Sequence, residues 1–83
     1  MNLKQDISIG DNLQRLRRSN KYSQAALAAL LQEEGYPISR DIITKMETGK
    51  YHIRISVLKR LKELYGVSYE EFFLDENPDS SAK

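Results

Sequence analysis

The side chains in this 83-residue sequence that can do chemistry are mostly cations, and they are unevenly placed. Residues 15–62 hold eleven Lys/Arg against only Glu33, Glu34, Asp41 and Glu47, a local surplus of seven positive charges. Residues 63–83 carry Lys83 against six acids, and residues 1–14 carry Lys4 against Asp6 and Asp11. A basic middle suits a polyanionic partner, and an acidic tail weakens indiscriminate binding. The plainer alternative is an ordinary solvated mixture of charges. Catalytic chemistry finds little to use. The single histidine, His52, the absence of cysteine and the lack of close-set carboxylates on one face leave no nucleophile–base pair and no metal site. The chain is therefore not expected to be an enzyme, and neither cofactor nor metal is expected.

The cations sit within a series of short amphipathic helices. Ile9, Leu13 and Leu16 recur at helical spacing, with Asp11 early and Arg17 and Arg18 late, in keeping with the helix dipole, which predicts a helix over about 9–19. Ser23 reads as the cap of a second, about 23–34, whose stripe is Ala26, Leu27, Leu30 and Leu31 and whose end is Gly35. Ser39 opens a third, about 39–48, closed by Gly49. Leu58, Leu61, Leu64 and Tyr65 mark a fourth, about 56–65, capped by Ser56 and stopped at Gly66. A fifth, about 68–74, begins at Ser68 with Glu71 in the capping-box position. No stretch alternates with a strand's period of two, so the class is all-α.

Length limits the chain to one compact domain over 9–74, preceded by an arm (1–8) and followed by a disordered acidic tail (75–83) poor in large apolar residues. The longest apolar run, Ala25–Leu31, is far below the ~20 residues a membrane span requires. No membrane association is expected, and a cytoplasmic, bacterial or phage-encoded protein is.

A short serine-capped helix, a connection and a second short helix form the motif that offers one helix to the DNA major groove. With Ile9-Gly10, Leu16-Arg17, Ser23-Gln24, Leu27-Ala28, the segment from Ser39 through Glu47 to Gly49, and Gly66-Val67-Ser68 before Phe72-Phe73, the chain resembles the Cro and phage-repressor (XRE-type) helix-turn-helix family. The resemblance implies a compact five-helix lambda-repressor-like domain whose third helix reads double-stranded DNA. By position it implies that Gln24 and Ser39 meet phosphates, that Arg40, Asp41 and Ile42 face base edges, and that Thr44 and Lys45 lie one turn on. Lys50 and Tyr51 would hold the backbone beyond the helix end, and Arg17 and Glu47 would pair to clamp helix one to helix three. The implied function is transcriptional regulation, as a repressor that occludes a promoter. A homodimer is expected, with Tyr69, Phe73 and Leu74 as its apolar face. The alternative is a protein-interaction module, such as an antitoxin, that docks a toxin or other protein antagonist through Ile42 and Ile53. One departure stands out: the stretch from Leu27 to Ser39 is about five residues longer than turns of ~3–4 residues allow, leaving the pose of helix three open.

Overall fold

The computed structural model describes residues 9–74; the expected arm and acidic tail lie outside them. Four α-helices, α1 (Ile9–Ser19), α2 (Gln24–Glu33), α3 (Arg40–Glu47) and α4 (Ile55–Tyr65), are followed by a 3-10 helix, Tyr69–Phe73. There is no strand among the described residues. The fold is all-helical and compact, four α-helices closed by the 3-10 helix, in keeping with the expected five-helix class.

Each helix begins and ends for a local reason. The Ser23 side chain accepts the Ala26 N–H at 3.0 Å, and the Ser39 side chain accepts the Ile42 N–H at 3.2 Å, so both helices of the central pair have satisfied N-terminal donors. Gly66 closes α4 in the left-handed conformation (φ 67), which costs a residue without Cβ nothing. Lys21 does the same work after α1 (φ 65) despite its Cβ, receiving no help from residue type.

The buried faces of all four α-helices meet in one core. Leu13 and Leu16 of α1, Leu27, Ala28 and Leu31 of α2, and Ile43 and Met46 of α3 pack with Val57, Leu58, Leu61 and Tyr65 of α4. Phe72 plugs the end of this core with no exposed surface. α1 lies against α3 and against the 3-10 helix, and α2 against α3.

Two expectations are corrected. Ser56 does not cap α4: the cap is Arg54, which makes no side-chain cap bond, and Ile55 occupies the first helical position 75% exposed. The register that turns Val57 and Leu58 inward places the cap two residues earlier than the serine suggests. The fifth element is a 3-10 rather than an α-helix, and Ser68 makes no side-chain cap bond. The buried Asn12 side chain donates to the carbonyls of Phe72 (3.0 Å) and Leu74 (2.9 Å), satisfying acceptors at the end of the element and fastening it to α1. Glu71, expected in a capping box, instead faces the Arg15 guanidinium at 3.5 Å.

Candidate nucleic-acid interface

The first turn of α3 stands on a buried polar network. Arg17 directs Nε to Glu47 Oε2 at 2.6 Å and Nη2 to Glu47 Oε1 at 3.2 Å, while Nη1 donates to the Tyr22 carbonyl at 2.8 Å. The two side chains are only 7% and 3% exposed, so their mutual attraction is little screened, but each also depends on the other for its solvation. Gln24 ties this pair to the outer face of α3: its Nε2 donates to Glu47 Oε1 (3.1 Å) and its Oε1 accepts from Thr44 Oγ1 (3.0 Å). Those two bonds fix which way the amide points. α1, α2 and α3 are thereby locked through one chain of hydrogen bonds, with the Thr44 hydroxyl also 3.2 Å from the Arg40 carbonyl.

Above this network lies an open groove of about 440 Å³, lined by Arg17, Arg18, Ser23, Gln24, Ala25 and Arg40. It gathers the end of α1 and the starts of α2 and α3. Two helix N-termini present partial positive charge there, and the exposed Arg18 and Arg40 form no ion pair among the described residues. Three other arginines of the basic middle segment do face acids: Arg15 faces Glu71, Arg17 faces Glu47, and Arg60 faces Glu34. The groove is thus lined by two exposed guanidinium groups and two helix N-termini with no carboxylate among its lining residues.

Of the expected contacts, Gln24 and Arg40 line the groove and the others spread outward from it. Asp41 is exposed on the first turn of α3, Ser39 and Ile42 are half-buried, and exposed Lys50 and Tyr51 lie past the helix end. Asp41 and Lys45 hold each other at 3.2 Å on one exposed helix face. Such a pair is worth only about 0.3–0.5 kcal/mol, so a ligand can open it. Thr44 and Gln24 turn their polar atoms inward to the network. Arg18 and Ser23 were not among the expected contacts yet line the groove; only the packing of α1's end beside α2's start brings them there.

Tyr65 borders the network with its hydroxyl buried and unpartnered, and its ring tilted against Tyr22 at 6.2 Å. Burial pushes its ionisation well above the ordinary tyrosine value, with Arg17 opposing and Glu47 reinforcing that shift. Because the unfolded chain ionises first, folded stability should fall as pH rises above the ordinary value of 10.0. Tyr65→Phe removes both penalties: urea titrations should show a gain of about 1 kcal/mol at neutral pH that widens in alkali. A destabilised variant would mean that the hydroxyl has a partner after all.

A family model described as a helix-turn-helix domain matches residues 8–72. The chain belongs to that family. Among solved structures, the helix-turn-helix chain is similar to the DNA-binding domain of BldD, with 18% identity and a TM-score of 0.65 over 89% of this chain and 100% of that one. No curated protein matches. The likeness to BldD is one of fold. In this helix-turn-helix domain α2 and α3 form the motif, α1 and α4 support it, and the groove sits at its N-terminal corner. No helix among the described residues is long and apolar enough to cross a membrane, and no group of His, Cys, Asp or Glu among them could hold a metal ion.

Proposed function

We propose that the chain is a sequence-specific double-stranded DNA-binding regulator whose reading helix is α3. The observation that carries this is the arginine-lined groove at the base of an exposed first helical turn, in a family built around that motif. The structural neighbour is itself titled a DNA-binding domain. A phosphate in the groove would be met by Arg18, the Ser23–Ala25 backbone and the second amide hydrogen of Gln24, with Ser39 beside it, which leaves Arg40 free to point at the bases. With the backbone so seated, Arg40 reaches guanine O6 and N7, Asp41 accepts from a cytosine amino group once Lys45 turns to phosphate, and the exposed part of Ile42 meets a thymine methyl. Thr44 acts through Gln24 as a positioning residue. Lys50 and Tyr51 hold the sugar–phosphate backbone beyond α3.

One such domain makes few base contacts, so the reading extends to a cytoplasmic homodimer on paired half-sites that represses by covering a promoter. Tyr69, Phe73 and Leu74, each more than two-fifths exposed, provide an apolar face for that dimer. The alternative, a docking module for a toxin or other protein, is less well supported. Ile42 and Ile53, which would form its apolar patch, are half-buried against the core.

Selection from a randomised duplex library, run with wild type and with Arg40→Ala, tests the reading. A palindromic motif should emerge, and the variant should lose a guanine preference at a cost of about 1–3 kcal/mol. Lys50→Ala should weaken all duplexes alike and reduce the salt slope by about one. Failure to enrich any motif at low salt would sink the proposal.

A further inference from the structure

The connection between α2 and α3 runs over residues 34–39 and exceeds the usual ~3–4 residue turn. Extra residues add backbone rotations, which by themselves would leave the second helix free to swing against the first. Here the connection is pinned at both ends. At its far end Gln32 Nε2 donates to the Ile38 carbonyl at 2.8 Å, and the Ile38 side chain is buried in the core. At its near end Glu34, the cap of α2, receives a two-pronged guanidinium from α4. Arg60 Nε donates to Oε1 at 2.7 Å and Nη2 to Oε2 at 2.8 Å.

This fork is unlike the other exposed ion pairs of the molecule. The Arg60 contact with Glu63 is 3.7 Å along one helix, and Lys45–Asp41 is a single-point contact. A planar fork fixes distance and angle together, which a point charge does not. The two side chains are 28% and 33% exposed and the bonds stand at the surface, so the fork acts through its geometry rather than as a large stabilising contribution. Hydrogen bonding to Arg60 also holds the Glu34 carboxyl below its ordinary value, so the pair stays charged into mild acid. Neither residue lines the groove, and neither was expected to matter for recognition.

We propose that the Glu34–Arg60 fork positions the reading helix, fastening the end of α2 to α4 so that the long connection delivers α3 in a single orientation. Its consequence for DNA rests on the function proposed above; its geometric part stands alone. Glu34 and Arg60 touch no ligand and act only through α3.

The full chain carrying Glu34→Gln, Arg60→Gln or both is compared with wild type and with Glu63→Gln, which removes only the longer contact. Residual dipolar couplings of the free protein report the orientation of α3 against α1, and titrations at one salt concentration give affinity for a selected and an unrelated duplex. Each fork variant should reorient α3 and lower affinity for the selected duplex about 10-fold, the equivalent of one lost base contact. Affinity for the unrelated duplex should stay within about twofold, because phosphate contacts tolerate a tilt. The double variant should be no worse than either single one, and Glu63→Gln should change nothing. An α3 that keeps its orientation overturns the proposal, as does an equal loss on both duplexes with a lowered unfolding midpoint. Reorientation of α3 in a protein whose wild type selects no duplex would uphold the positioning role and remove the DNA reading instead.

Discussion

Arg17→Met should cost about 3–5 kcal/mol, because it strands the Glu47 carboxylate, 3% exposed, without its guanidinium. A domain of this size is stable by only about 5–15 kcal/mol, so the variant should lose a large share of its stability. The loss has three parts: the fork to Glu47, the bond from Nη1 to the Tyr22 carbonyl, and the anchoring of Gln24 through Glu47. Urea titration measures it. Replacing both partners by apolar residues, Arg17→Met with Glu47→Leu, should recover most of the loss, since no charge is then left buried. A single-variant cost under about 1 kcal/mol would class the pair with exposed ion pairs and undo its role as the foundation of α3.

Gly10→Ala should destabilise the domain although alanine is the better helix former by about 1 kcal/mol. A methyl group on Gly10 would sit 2.5 Å from the Glu47 carbonyl oxygen, 2.9 Å from its carbon and 2.9 Å from the Met46 carbonyl oxygen. These are backbone atoms, with no rotamer to change, so α1 and α3 must move apart. Overpacking of this kind costs about 1–3 kcal/mol. Each kcal/mol lowers the thermal midpoint of so small a domain by about 4–8 °C, which a melting curve resolves easily. The same separation would shift Glu47 and weaken DNA binding through the network at α3. A raised midpoint, as helix propensity alone predicts, would show that the two helices do not cross so closely.

Much of the fold is visible in residue spacing because it depends on short-range rules. The caps Ser23 and Ser39 and the leucine stripes of α1 and α2 act over one or two turns of helix, and sequence carries that information directly. Arg54 as the cap of α4 is not visible, since it follows from how Val57 and Leu58 reach the core rather than from any capping side chain. The tie from Asn12 to the end of Tyr69–Phe73 reaches carbonyls 60 and 62 residues away, beyond any local pattern. The candidate site divides in the same way. A basic middle segment and a helix pair are legible, and the family resemblance points to Arg17 and Glu47. The inward turn of Gln24 and Thr44, the Asp41–Lys45 contact and the Glu34–Arg60 fork depend on rotamers and on contacts between distant segments. Arg18 joins the groove only because α1 ends where α2 begins.

The most direct test of the central claim, that the α2–α3 face grips duplex DNA, is an amide chemical-shift titration of the whole chain with a short duplex at low salt. The account predicts that the largest changes fall at Arg18, Ser23–Ala25, the first turn of α3 from Ser39 to Ile42, and Lys50–Tyr51, with any change at the dimer face smaller than these. Changes centred on Tyr69, Phe73 and Leu74, or none at DNA concentrations that saturate non-specific binders, would contradict it.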